Sequence, residues 1–474
     1  MSLPAKVANT LLLSVAVIYP TAVSAAPVTF NNASQLTTMN GELVHAHGGG
    51  VIKSNGYYYL AGEQRGPDGW LFGAVSLYRS ADMVHWTHVN DILTPNSSPE
   101  LAPSNIERPK IIYNAAYNHY VLWAHKENGE DYGDAEVAVA VSPTVDGDYV
   151  YQGSFRPLGY DSRDQTVFVD KDGTGYLVSA SNVNLDLHIY RLTADYLGVA
   201  ELVYVFKGNH REAPAVFERN GVYFMVTSGA SGWNANQQKY ATTTQFPAGN
   251  WSGWKNVGSS NGFGSQTTYV TTISGTQGSS YLYMGDRWGP QWDGNPNDSL
   301  YVWLPLKFPT NNTLAMDWYP QLTIDTDTGK AEGIAHDTTT LISRNSGKCA
   351  DVVNQSWQDG ADIIQWTCNG GTNQEWAIQP TGDGYHRLIA WHSGKCLTVE
   401  GNESGTQAQQ QACTDDGAGQ TWQLRDTGDG YVEIVSRDSG KCLDVNGQST
   451  ENSARLQQWG CWGGSNQQWR LSAR

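Results

Sequence analysis

HREAPAVFERNGVYFMVTSGASGW, residues 210–233, sets an acidic side chain, Glu212, at the mouth of a hairpin. Ala215-Val216-Phe217-Glu218 and Val222-Tyr223-Phe224-Met225-Val226 have the β-branched and aromatic character of strands, and Arg219-Asn220-Gly221 between them is a turn. The same arrangement, a polar residue and then a hairpin, recurs with entries near His47, Glu107, Asp164 and Gln266, so the period is 48 to 60 residues. With about four strands per unit, that period predicts a β-propeller of five blades. Innermost strands of a propeller surround one axis, which brings Glu107, Asp164 and Glu212 to one central cavity although they lie far apart in the chain. Their neighbours Arg108, Arg163 and Arg211 are expected on the opposite strand faces, because successive side chains alternate.

Composition agrees with an all-β protein: the 474 residues include 18 Trp, 25 Tyr and 51 Gly, and only 16% are charged. Such a length implies two or three domains. A net charge of −17, with no offsetting Lys/Arg cluster, argues against a nucleic-acid partner and against nonspecific association, so a monomer is expected. Residues 1–25, with one Lys, the run LLLSVAVIYPTAV and the end Val23-Ser24-Ala25, read as a signal peptide of a secreted, extracellular protein. No other run of about twenty apolar residues is present, so no membrane association is expected.

All six Cys lie after residue 348, where a second periodicity begins. SGKCAD at 346–351 recurs as SGKCLT at 393–398 and SGKCLD at 439–444, and Gln-x-Trp recurs at 374–376, 420–422 and 467–469. Pairing Cys349 with Cys368, Cys396 with Cys413 and Cys442 with Cys461 is the connectivity that respects this threefold pattern. The three Trp are expected in a core around a pseudo-threefold axis. The boundaries implied are a signal peptide at 1–25, a propeller at 26–327, a linker at 328–337 and the threefold module at 338–474.

Two carboxyls flanking a glycosidic bond are the usual machinery of glycoside hydrolysis, and a like charge nearby keeps the acid protonated. The alternative is that these acids cap turns or pair with Arg. Beyond these residues, the stretches AHGGGVI, YYYLAGE, NIERPK, YGDAEVAVAVS, SRDQTVFVDKDGTGYL, REAPAVF, SGASGWN and GSQTTYV resemble glycoside hydrolase family 43, in particular its exo-β-1,3-galactanase branch, across nearly all of residues 30–326. That resemblance implies a five-bladed propeller that inverts anomeric configuration. It implies Glu212 as general acid, Asp164 as the residue tuning and orienting it, and Glu107 as a sugar ligand that helps position water. It also implies Glu63, Tyr132, Asn184 and Trp233 as sugar contacts, against the alternative of blade packing.

Most of the family carries an Asp, the general base, at the start of the first blade, where this chain has His45-Ala46-His47-Gly48-Gly49-Gly50. The galactanase branch shares that lack and carries a Gln in the fifth blade, matched by Gln266, which as an amide would orient water. His45, His47 and His85 do not form a metal set, Asp170-Lys171-Asp172-Gly173 reads as a turn, and no cofactor is expected.

The threefold module resembles the ricin B-type β-trefoil lectins, carbohydrate-binding module family 13. Carried over by position, its sugar pockets would use Asp351, Trp366 and Asn373 in the first repeat and Asp444, Trp459 and Asn466 in the third. The second repeat has Thr398, Gln411 and Gly419 there, so two live pockets and one dead one are expected. The whole reads as a secreted exo-β-1,3-galactanase releasing galactose from β-1,3-galactan, as in plant arabinogalactan, with the trefoil holding the polymer. The rivals are another family 43 hydrolase, on arabinan or xylan, and a catalytically inactive two-domain lectin.

Overall fold

A computed structural model describes residues 26–335, 337–414, 417 and 419–473; the signal-peptide expectation falls on residues 1–25, outside the described residues. Five four-stranded antiparallel sheets follow one another along the chain, with first strands His47–Ser54, Asn105–Asn114, Gln165–Val169, Arg211–Arg219 and Gln266–Gly275. These begin at or beside the five expected entries. Each sheet is a simple meander, because short Gly- and Asn-bearing turns such as Asn220-Gly221 join neighbouring strands.

The count of five is corrected by a sixth sheet, three-stranded, formed by Val28–Asn31, Gln321–Asp325 and Lys330–Gly333. Phe30, Leu322 and Ile324 of this sheet share one core with Trp303 and Met284 of the fifth and Val51 and Trp86 of the first. This sixth sheet pairs the two ends of the propeller sequence and packs on both the first and the fifth sheets, holding them together. One of its strands, Lys330–Gly333, lies inside residues 328–337, expected as linker.

Residues 338–473 form a single twelve-stranded network with threefold internal repetition. Trp376, Trp422 and Trp469 are fully buried together, and each indole donates to a carbonyl just after the first Cys of its repeat: Ala350 at 3.2 Å, Leu397 at 3.0 Å and Leu443 at 3.2 Å. The Ser of each SGKC donates to a buried Gln, Ser346 to Gln365, Ser393 to Gln410 and Ser439 to Gln458. The three disulfides join the expected pairs.

A buried cation joins propeller to trefoil. Arg287 lies between the rings of Trp318 (4.8 Å) and Trp357 (4.6 Å) and donates to the carbonyls of Phe263 (2.9 Å) and His392 (3.1 Å). Trp318 donates to the carbonyl of Trp391 across the same interface. Hydrogen bonds from a charged donor in a dry setting contribute more than neutral ones, so Arg287→Ala is expected to cost about 3 kcal/mol. Calorimetry should show propeller and trefoil melting further apart, and an unchanged thermogram would contradict this role.

Candidate active site

Irregular backbone builds the site. Four inner strands carry a bulge where they reach the axis: between His47 and Gly50, Glu107 and Lys110, Glu212 and Ala215, and Thr267 and Tyr269. A bulge adds a residue to one strand and re-aims its side chains. Arg108 and Ala213 take left-handed φ values of 51° and 53° within two of these bulges. In consequence Arg108 does not face away from Glu107, as regular alternation would require. Both line one pocket of about 470 Å³. That pocket also receives all eight propeller residues singled out from sequence, Glu63, Glu107, Tyr132, Asp164, Asn184, Glu212, Trp233 and Gln266. Buried Lys110 ties the first and second inner strands, its Nζ donating to the carbonyls of Gly48 (2.6 Å) and Arg108 (3.4 Å).

Glu212 is 4% exposed and held at both oxygens. Oε1 accepts from Gln266 Nε2 (2.9 Å) and the Ser231 amide (3.4 Å), and Oε2 accepts from Asn184 Nδ2 (3.0 Å). Burial first, and the charge of Asp164 second, push its pKa up to about 8 against the opposing pull of Arg108. Gln266 uses both ends of its amide: Nε2 also donates to Ser228 Oγ (3.1 Å), while Oε1 accepts from Arg108 Nη2 (2.5 Å) and Trp288 Nε1 (2.6 Å). With its donors and acceptor engaged, Gln266 orients the carboxyl of Glu212 and has no N–H left for water. Asp164 pairs with Arg108 Nε at 2.9 Å.

Glu107 is the opposite case. Although burial favours its neutral form, His125 and Arg65 hold its pKa well below the carboxylate range. Its Oε1 accepts from Arg65 Nη2 (3.0 Å) and Tyr132 Oη (2.9 Å), and Oε2 pairs with His125 Nδ1 (3.3 Å). His125 Nε2 meets the buried Glu127 at 2.7 Å, and although burial opposes it, the two flanking carboxylates raise the imidazole to about 9. Glu107, His125 and Asp164 bring ligand atoms within 4.8 Å of one another. Since Arg65 and Arg108 already neutralise the two acids and His125 is protonated between carboxylates, this donor set does not fit a cation.

Glu63 answers the missing first-blade acid. A Cβ placed on Gly48 would fall 2.4 Å from Glu63 Oε1, so this carboxyl, from the neighbouring strand, occupies the space that a side chain at Gly48 would fill. Burial, only partly offset by its partner Arg65, pushes its pKa up to about 7. Gly48, at φ 60°, also gives its amide to Asp286 Oδ2 at 2.7 Å. Sequence reasoning missed Arg108, Arg65, His125 and Trp288. Pro109 and Pro214, each two residues after an acid inside a strand, were the available signal, since proline within a sheet marks a bulge or an edge.

In the trefoil, Gln374 Nε2 donates to Asp351 Oδ2 (2.8 Å) and Asn373 Nδ2 to the Val352 carbonyl (3.1 Å). In the third repeat Asn466 and Gln467 donate to Asp444 Oδ2 at 2.7 and 3.0 Å. Buried Oδ1 atoms of Asn373 and Asn466 have no hydrogen-bond partner among the described residues, and Trp366 and Trp459 of the same two repeats are exposed. An unsatisfied buried acceptor and an exposed ring are the groups suited to a sugar hydroxyl and its apolar face. The second repeat has none of this. Thr398 Oγ1 donates to Cys396, Gln411 to Glu400, and a Cβ on Gly419 would lie 1.9 Å from the Val399 carbonyl.

Comparison with known proteins accords with this geometry. Residues 50–272 match the family described as glycosyl hydrolases family 43, and residues 337–469 match the ricin-type β-trefoil lectin domain. A crystal structure of an exo-β-1,3-galactanase from Clostridium thermocellum is 44% identical, covering 94% of this chain and 100% of that one, with a TM-score of 0.66. An exo-β-1,3-galactanase from Phanerochaete chrysosporium, solved with galactose and, as variants, with β-1,3-galactotriose, is 27% identical over 91% of this chain and 99% of that one, with a TM-score of 0.65. A relative 44% identical along nearly the whole length, together with the two family matches, shows that the chain belongs to glycosyl hydrolases family 43 and carries a ricin-type β-trefoil lectin domain.

Proposed function

We propose that the protein is a secreted, monomeric, inverting exo-β-1,3-galactanase that releases galactose from β-1,3-galactan chains such as those of arabinogalactan. The observation that carries this reading is Glu212, a buried carboxyl pushed up to about 8 in the pocket that also holds Glu107, Asp164 and Gln266. Exo action is supported by the Clostridium and Phanerochaete relatives, both exo-β-1,3-galactanases. The activity of the Clostridium and Phanerochaete relatives supports the substrate. Asp351, Trp366 and Asn373, and Asp444, Trp459 and Asn466, hold the same polymer on the trefoil and raise its local concentration.

In this reading the glycosidic C1–O bond breaks as Glu212 gives its proton to the leaving oxygen. Because Oε1 already takes two N–H donors, the proton resides on Oε2. Water attacks C1 from the other face and passes its proton to Glu63. Glu63 is basic enough for this task, whereas Glu107, held low by His125 and Arg65, serves as a sugar-hydroxyl acceptor. Gln266 positions Glu212 rather than accepting a proton.

Proton NMR of the first product from β-1,3-galactan is expected to show α-galactose; a β-anomer, or no galactose, would refute the function. Glu212 must be protonated to act, so kcat/KM is expected to fall as pH rises through about 8. Removing the Asp164 charge lowers the pKa of Glu212, and Asp164→Asn should move that alkaline limb down by about one pH unit. Glu63→Gln should lower single-turnover rates about 10²–10⁴-fold, the loss typical of a general base. A near-native rate in Glu63→Gln alongside an inactive Gln266→Ala would transfer the water-activating role to the amide.

A further inference from the structure

Two clefts separate propeller from trefoil, and they differ in chemistry. One, of about 650 Å³, is walled by Asn234, Asn261, Gln291 and Trp292 of the propeller and by Asn354 and Trp357 of the first trefoil repeat. Its one carboxylate, Asp362, is engaged by Gln409 at 3.1 Å. Amides that both donate and accept, lining one cleft together with two indoles, suit a neutral sugar chain and give an anionic partner nothing to pair with. The other cleft, about 630 Å³, is lined by Lys395, Arg387 and Asp359 and by no aromatic ring.

The first cleft is linked to the active site through two segments of chain. The loop that gives Gly232 and Trp233 to the catalytic pocket gives Asn234 to the groove, and the turn that gives Trp288 to the pocket gives it Gln291 and Trp292. Trp233 and Trp288 meet edge to face with centroids 5.1 Å apart, where these two segments pass from pocket to groove. Trp357 fixes the opposite wall. It stands where the other repeats carry Asn402 and Thr450, as the repeated Gln–carbonyl bonds align them, a departure from the threefold pattern. Its indole lies so close to Gly264 that a Cβ there would be 2.5 Å away, and it covers Arg287 at 4.6 Å. The Ser356 carbonyl beside it is held by His392 (2.9 Å) and Gln410 (2.8 Å), so the loop is braced from within the trefoil as well.

We propose that this groove is the leaving-group side of the active site, binding the galactose units that follow the scissile bond toward the reducing end of β-1,3-galactan, with the trefoil supplying one wall. The inference rests on the function proposed above. The trefoil then shapes catalysis directly, besides tethering the enzyme to polymer.

The test is the chain-length dependence of kcat/KM for the full-length protein on soluble β-1,3-galactobiose through galactopentaose. The wild type should prefer longer chains. Trp292→Ala should lose about 10-fold on the pentaose, corresponding to about 1.4 kcal/mol, and under about 2-fold on the biose. Asn354→Gly, which suits the left-handed φ of 54° at that position and removes the amide, should show a smaller loss in the same direction. Gln379→Ala, on the wall of the other cleft, should leave the length series unchanged. Equal losses at every length, no length preference, or a series flattened by Gln379→Ala would overturn the groove assignment. A wild type that cannot cleave the biose would instead overturn the function.

Discussion

The site depends on one guanidinium. Arg108 reaches the axis because a bulge and a left-handed φ turn it onto the same face as Glu107. There it neutralises Asp164 through Nε, fixes the carbonyl end of Gln266 through Nη2, and donates through Nη1 to Thr267 of the fifth sheet at 2.9 Å, with Trp288 below it at 5.8 Å. Fixing that carbonyl decides which way the amide points, so the N–H end of Gln266 faces Glu212. Three sheets are thereby tied to one another through the groups that control a single proton. Two carboxyls differ in protonation for the same reason that two environments differ: Glu212 is buried without an ion pair among the described residues, and Glu107 is buried between Arg65 and His125.

Much of this was legible in the chain. Propeller entries recur with a period, and residues at equivalent positions of a closed ring must converge, so Glu107, Asp164 and Glu212 could be placed in one pocket from the period, while Glu63, Tyr132, Asn184, Trp233 and the role of Gln266 came only with the family resemblance. The trefoil was more legible still, because each repeated residue makes a repeated bond, as the three Ser–Gln pairs and three indole–carbonyl bonds show. The sixth sheet was hidden because Val28–Asn31 pairs with Gln321–Asp325, strands at opposite ends of the propeller that repeat nothing within it. Arg108 was hidden because alternation holds only for a regular strand. Glu63 was visible as a sugar contact but not as an occupant of the space beside Gly48, since that depends on register between two strands.

The two domains meet through chemistry that neither would leave exposed. Arg287, without an acidic partner among the described residues, is tolerated in the interior by two indoles and two carbonyls, one of each from either side. That contact seats the first trefoil repeat beside the catalytic pocket, while the unsatisfied Asn373 and Asn466 oxygens remain available for the module's own ligands.

The central claim is that Glu212 carries a proton at neutral pH, and a direct titration of its carboxyl tests it. Carbon-13 NMR of the protein labelled at glutamate side chains, with Glu212→Gln identifying the signal, should show a carboxyl that stays protonated at pH 7 and ionises near 8. A Glu212 signal already ionised at pH 6 would contradict the account.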